Sequence, residues 1–366
     1  MLTVASSSAA RLQRADVLEV DILSVATAVP GHKILQSEAL ERAKTVFPQL
    51  ARLDGLYANT GIDTRYSCEH PDWCHEPHGW EDRTRSFQRH ALSLLERVAV
   101  DAAERAGLGL QDVDALVVNT VTGLAIPSLD ALLCNRLAFR EDVERLPIFG
   151  LGCGGGVGGM ALAARLAQSR PGANVLFLTV DLCTLCARPN DKSMGMFVSA
   201  ALFGDGAAGV ILRARGGSRE DGGRSLGTIR AVGDHFWRDS EHIMGWDIKS
   251  DGFGVVLSPE LPSLLREALV PAINKFLDRH EMSLEDFKGF LFHPGGRKIL
   301  ETAEAALGID RNLIAHSWEV LRAYGNMSSA TALFVVKQAV DAGVRGRNLI
   351  AAFGPGFSAY FIVADF

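Results

Sequence analysis

The amino-acid sequence predicts an internally duplicated, layered α/β fold. Three observations carry that prediction. Short β-rich runs alternate with helical ones in both halves of the chain. Each half places polar residues where a strand ends or a helix begins. A Gly- and charge-rich break, GGSREDGGRS at 216–225, separates the halves. The boundary is placed at 221/222, giving units 1–221 and 222–366. The repetition lies in the grammar of elements, without residue-level identity between the halves.

In chain order, DILSVATAVP (21–30) reads as a strand and Ser86–Ala106 as an amphipathic helix. Val113–Thr120 is a short β-rich run of the kind buried on both faces. LPIFGLGC leads through a tight turn into the helical stretch GGGVGGMALAARLAQSR, and NVLFLTV (174–180) is the next strand. In the second half, Ser258 followed by Pro259 is expected to cap and open a helix. FKGFLF (287–292) is a strand that ends at HPGG, ahead of the helix KILETAEAALG. A further helix follows GNMSS, and two closing strands flank the GPG turn at 354–356.

Composition narrows the function. A net charge of −6 over 366 residues leaves no basic surplus for neutralising a phosphate backbone, so nucleic acid is not an expected partner. No apolar run reaches the roughly 18 residues of a membrane span. The N-terminal stretch lacks the apolar centre of a secretion signal. Six cysteines are too few for a disulfide scaffold in a chain of this size, so a reduced, cytoplasmic setting is expected.

Cys153 is the leading candidate nucleophile. It stands in GLGCGGGVGG between a strand and a helix, where a sharp bend presents the sulfur and the helix N-terminus favours a thiolate. The Gly-rich turn alone is also compatible with a structural cysteine or a phosphate cradle. His293 ends the strand GFLFHPGG and Asn326 precedes a helix in YGNMSSATALF. Singly, such residues are a core histidine and a helix cap. Together they supply what a decarboxylating condensation needs: a thiolate to carry an acyl chain, a histidine to lower its pKa by charge pairing, and donors for an enolate.

GLGCGGGVGG, ALFGDGAAGVIL, FHPGGRKIL, YGNMSSATALFVV and FGPGFSAY, in this order, resemble the five signature segments of the chalcone-synthase family of type III polyketide synthases. ANTGIDTRY and VNTVTGLAIPSLD extend the likeness over nearly the whole chain. The resemblance implies a thiolase fold with αβαβα layers. It also implies condensation of an acyl-CoA starter with malonyl-CoA, no cofactor beyond the CoA thioesters, and a homodimer. It assigns Cys153 as the acylated nucleophile, His293 and Asn326 as the decarboxylation pair, and Phe203 as a gatekeeper, where the bare sequence allows an ordinary core phenylalanine. Thr122, Ile126, Cys183, Cys186, Ser328, Gly354, Pro355 and Gly356 fall at cavity positions, Ile126 reaching toward a partner subunit. For CoA phosphates only Arg52 is retained near the start. Gly55 and Asn59 replace basic residues, and Lys298 offers a compensating charge.

Two further motifs have competing readings. Cys183 and Cys186 form a C-x-x-C in DLCTLC, which suits a redox pair or a zinc half-site. No second C-x-x-C exists, and small apolar cavity lining is expected. YSCEHPDWCHEPHGW holds Cys68, His70, Cys74, His75 and His78, but its spacing matches no common zinc pattern, so no metal is expected. LCTLC resembles bacterial members of the family, both those making alkylpyrones or alkylresorcinols and those making naphthalene products, and with the slender side chains of Thr122 and Cys183 it points to fatty acyl starters and alkylpyrone or alkylresorcinol products. A malonyl-primed naphthalene-type synthase is the main alternative, and a ketoacyl-carrier-protein synthase III-like enzyme a more distant one. A non-catalytic partner subunit would be expected to have lost the nucleophile.

Overall fold

The computed structural model describes residues 18–46, 54–216 and 225–366. The first half contributes β1 (Val20–Ala28), β2 (His32–Leu35), α1 (Gln36–Val46), α2 (Asp54–Ala58), β3 (Thr64–Ser67), α3 (Trp80–Arg105) and β4 (Ala115–Thr120). It continues with α4 (Leu129–Cys134), β5 (Glu144–Phe149), α5 (Gly155–Ser169), β6 (Asn174–Leu182), α6 (Met194–Leu202) and β7 (Asp205–Ala214). The second half contributes β8 (Gly227–Phe236), β9 (Met244–Lys249), β10 (Gly252–Leu257), α7 (Leu261–Asp278), β11 (Gly289–Phe292) and α8 (Arg297–Leu307). It closes with α9 (Ala315–Tyr324), α10 (Ala330–Asp341), β12 (Arg347–Gly354) and β13 (Ser358–Asp365).

The duplication is visible in the sheet, whose order is β11-β12-β13-β8-β1-β7-β6-β4-β5. From the centre outward, β1-β7-β6-β4 mirrors β8-β13-β12-β11. In both series the first two pairings are antiparallel and the last is parallel. The half-sheets meet only where Val20–Ile22 pairs with Gly227–Ile229. Strands β4, β6 and β11 are mostly apolar and wholly buried, over all six, all nine and all four of their residues, whereas the edge strand β5 is mostly exposed. Strands covered on both faces read this way.

Helices α5 and α10 lie between the half-sheets and pack against both, while α3 covers the first half-sheet and α7 the second. That is the αβαβα layering. Small residues make the central layer possible, because α5 reads GGVGGMALAARLAQS. A Cβ on Gly156 would lie 2.1 Å from Ser329 O, so only glycine lets α5 approach the start of α10 this closely. The result sets the turn before α5 beside the turn before α10.

Several boundaries differ from the sequence reading. Helix α3 begins at Trp80, six residues before the expected Ser86. Helix α7 begins at Leu261 with Pro262 in its first turn, because the Ser258 hydroxyl accepts from Glu260 N–H at 3.2 Å and so closes a turn ahead of the helix. The 221/222 boundary and Arg52 lie outside the described residues.

Candidate active site

Cys153 sits in the single turn Gly152–Gly154 that feeds α5. Gly152 adopts φ +53°, a left-handed conformation that favours glycine, and a Cβ there would meet Pro355 at 2.4 Å. A Cβ on Gly354 would lie 2.3 Å from Leu151 O. The GPG turn is therefore packed onto the cysteine turn. Pro355 lines the cleft beside Cys153, while Gly356 faces the Phe236 ring.

The 326–329 turn supplies the opposite wall. The Asn326 carboxamide accepts from Ser328 N–H at 2.8 Å and donates to Gly295 O at 3.1 Å. The Ser328 and Asn326 side chains lie near enough to the Cys153 sulfur to favour its ionised form. Asn326 is thus tied to the nucleophile turn and to the 293–296 turn that carries His293. His293 is 3 % exposed, and neither of its ring nitrogens has a partner among the described residues.

Burial dominates the charge states. It pushes the Cys153 thiol up to about 11, the neighbouring Asp181 charge adding to the rise while Ser328 and Asn326 draw it back. It holds His293 down to about 3. The resting site at neutral pH is therefore a thiol with a neutral imidazole, not the charge pair expected from the sequence. Desolvation penalises the charged form of both groups.

Asp181, which the sequence reading passed over, anchors the wall from behind. It is fully buried and accepts from Val121 N–H (2.8 Å), Thr120 Oγ1 (3.3 Å), Thr122 Oγ1 (3.2 Å), Ser329 N–H (2.9 Å) and the Ser329 hydroxyl (2.5 Å). Thr122 belongs to this network: its hydroxyl also accepts from Leu182 N–H at 2.8 Å. Its side chain therefore turns into the protein, and Val121 lines the cleft in its place. A buried hydroxyl needs partners, and the ends of β4 and β6 supply them. An acid ending an apolar strand was the available signal for Asp181.

Two clefts meet at this point. The smaller, of about 470 Å³, is lined by Cys153, Val121, Phe203, Ser328, Pro355 and residues of β9 and β10. The larger, of about 860 Å³, shares Cys183, Phe203, Trp246 and Val255 with it and runs between α1 and α6. Trp246, also missed from sequence, donates its indole N–H to Val121 O at 2.9 Å and so holds the β9–β10 hairpin against the site. Phe203 ends α6, whose start is capped by Ser193 accepting from Met196 N–H at 3.2 Å.

Cys183 and Cys186 are buried and line the larger cleft. Lys298 is exposed in the first turn of α8, Gly55 is exposed at the start of α2 and Asn59 is exposed just past its end. Ile126 is 98 % exposed. In the Cys/His-rich segment, Cys68 N–H donates to Asp205 at 2.8 Å, Cys74 is directed at Thr184 O, and His78 stacks on Trp73 at 3.8 Å. These side chains are engaged in packing and local hydrogen bonds.

A nucleophile turn and an amide-bearing turn, brought together by two buried central helices of a duplicated sheet, define a condensing enzyme of the thiolase type. Comparisons narrow the class. Residues 7–216 match the family model described as chalcone and stilbene synthases, N-terminal domain, and residues 229–363 match the corresponding C-terminal domain. The chain is 34% identical over 351 residues to 1,3,6,8-tetrahydroxynaphthalene synthase of Streptomyces peucetius subsp. caesius, covering 93% of this chain and 92% of the relative. It is 28% identical over 362 residues to an alpha-pyrone synthesis polyketide synthase-like protein of Mycobacterium tuberculosis, covering 94% and 90%. The crystal structure of 1,3,6,8-tetrahydroxynaphthalene synthase from Streptomyces coelicolor A3(2) superposes with TM-score 0.88 at 30% identity, covering 94% of this chain and 99% of that one. The chain belongs to the chalcone and stilbene synthase family. It is a type III polyketide synthase, an acyltransferase that uses CoA thioesters.

Proposed function

We propose that the protein condenses a medium- or long-chain fatty acyl-CoA with malonyl-CoA units on Cys153 and releases an alkylpyrone or alkylresorcinol. Cys153 sulfur attacks the starter thioester carbonyl as its proton passes to His293, whose unpartnered nitrogens can accept it. The carbon–sulfur bond to CoA breaks, and CoA leaves with a proton. Malonyl-CoA then loses carbon dioxide, leaving an enolate whose oxygen is stabilised by the Asn326 amide and His293. The enolate carbon attacks the Cys153 thioester, and the cysteine sulfur is the leaving group. No resident cofactor enters these steps. Phe203, at the junction of the clefts, keeps water from the carboxylate being lost.

The observation that carries the starter assignment is the larger cleft, whose walls include Ala39, Ala43, Val46, Met196 and Val255 and which opens from Cys183 at the reaction cavity. A second reading, priming by malonyl-CoA to give a naphthalene product, is favoured by the 34% identity to a tetrahydroxynaphthalene synthase. Purified protein given malonyl-CoA with a panel of acyl-CoAs, its products identified by mass, separates the two. Alkyl products support the first reading. Full-rate consumption of malonyl-CoA alone, indifferent to added acyl-CoA, supports the second.

A further inference from the structure

We infer that the larger cleft contains a subsite for oxygen on the acyl chain, in which Tyr57 and Arg65 take a carbonyl or carboxylate group carried beyond the thioester. The inference rests on the reading that an acyl chain enters this cleft, and it narrows the class of chain.

Both residues line the cleft and both are deeply buried, Tyr57 at 2 % and Arg65 at 5 % exposure. Each leaves a polar atom without a partner among the described residues, Tyr57 Oη and Arg65 Nε. The two side chains lie close enough for the Arg65 charge to favour ionisation of Tyr57, an effect that burial outweighs. Burial pushes Tyr57 up to about 12, so at neutral pH it is a phenol with a proton to donate.

Part of Arg65 is structural. Its Nη1 donates to Ala200 O at 2.7 Å and Phe203 O at 2.8 Å, closing the C-terminal end of α6. Its charge is not matched by a salt bridge among the described residues. Asp205 faces it, but the Asp205 oxygens already accept from Cys68 N–H (2.8 Å), Thr184 N–H (2.8 Å) and Thr184 Oγ1 (2.6 Å). Among the described residues no carboxylate lines the larger cleft, while Arg42 and Arg188 do, paired with Asp72 and with Asp191 and Asp251. Both donors are already buried and unpaired in the empty cleft, so a plain alkyl chain leaves that cost in place, whereas an oxygen acceptor reaching either one relieves it.

Two sources could bring that oxygen: an oxygenated starter, or the keto groups of the growing chain. Three matched eight-carbon starters distinguish them: octanoyl-CoA, 7-oxooctanoyl-CoA and the mono-CoA thioester of suberic acid. Acyl loading of the full-length protein is followed as CoA release. The oxygenated starters are expected to exceed octanoyl-CoA in kcat/KM by about fivefold or more. Tyr57→Phe removes a hydroxyl that has no protein partner, so its melting temperature should hold while the ratio falls toward one. Equal loading of all three starters would overturn the subsite and leave the fatty-starter reading standing. If none loads and malonyl-CoA alone is consumed, the fatty-starter reading fails and the growing chain is the remaining source. In that case Tyr57→Phe must shorten the longest ketide released, and an unchanged product length would overturn the subsite.

Discussion

Phe203 and Asn326 are held to each other by their backbones. Asn326 N–H donates to Leu202 O and Gly204 N–H donates to Asn326 O, both at 2.9 Å, forming a parallel bridge between the two halves of the chain. The residue at the junction of the clefts and the proposed enolate donor therefore keep a fixed spacing, whatever the Asn326 side chain does. Replacing that side chain should test its chemistry without freeing Phe203.

Asn326→Ala is accordingly expected to retain covalent loading by a starter acyl-CoA while malonyl-CoA decarboxylation falls on the order of 100-fold. Because the carboxamide also accepts from Ser328 N–H, Asn326→Asp is the matched control: it keeps the acceptor and loses the donor. Loading is measured by intact mass and decarboxylation by carbon dioxide release. Equal loss of both steps in both variants would make Asn326 a structural residue of the turn.

Cys153 should behave as a buried thiol that ionises only at high pH. With its pKa pushed up to about 11, its alkylation by iodoacetamide is expected to rise about tenfold per pH unit between pH 7 and 10. It should still be labelled before Cys68, Cys74, Cys183 and Cys186, which burial also raises, while mapping of the labelled peptides separates it from the half-buried Cys134. Cys153→Ala and Cys153→Ser should both abolish acyl-enzyme formation while remaining folded. A rate that levels off near pH 8 would instead reveal a thiolate already paired with protonated His293.

Much of this site was legible in the sequence because its backbone demands are local. The Gly-rich turn at 152–156 reflects contacts that exclude a Cβ, and a strand buried on both faces betrays itself by an apolar run such as ALVV at 115–118. What was hidden depends on tertiary burial. The neutrality of Cys153 and His293 follows from desolvation, which no spacing encodes. Val121 and Thr122 are adjacent, and only the position of Asp181 decides which one turns inward. Trp246 reaches the site across 125 positions of sequence, on a hairpin with no distinctive motif.

His293 should make the fold sensitive to acid. Its pKa is about 3 when folded and near 6.5 when exposed, so between these values the unfolded chain binds more protons. Stability is therefore expected to fall as pH drops from 7 toward 4, and His293→Asn should flatten part of that slope. Melting temperatures across this range test it. A slope identical in the variant would assign the acid sensitivity to other groups.

Assembly should bury the open edge of the first half-sheet. Strand β5 pairs only with β4, its residues Leu146 and Phe149 are exposed, and Leu124 and Ile126 protrude from the segment that follows β4. Exposed apolar side chains clustered at a sheet edge are a self-association surface. A homodimer of twice the 39.4 kDa chain mass is expected in light scattering, and Ile126→Glu should shift it toward monomer. A stable monomer at micromolar concentration would remove the idea.

Cys183 stands where the two clefts meet, which makes it the position most able to limit acyl length. Each buried methylene contributes about 0.8 kcal/mol, so a starter tail lying in the larger cleft should gain roughly fourfold in apparent affinity per carbon until the space is filled. Cys183→Phe should close the junction and cut acceptance of octanoyl and longer starters, with acetyl-sized starters used as before. Thr122→Phe is no substitute for it: the Thr122 hydroxyl binds Leu182 N–H and Asp181, so that variant should lose stability instead. Overpacking at a buried position costs about 1–3 kcal/mol, so melting curves must accompany the kinetics, and Cys183→Ala serves as the variant that widens the junction. The paired expectation is a product distribution that shortens in Cys183→Phe and is kept or lengthened in Cys183→Ala. A folded Cys183→Phe protein that still extends long acyl chains at the original rate would place the alkyl tail elsewhere, and loss of activity with malonyl-CoA alone, with no dependence on acyl length, would favour the malonyl-primed reading.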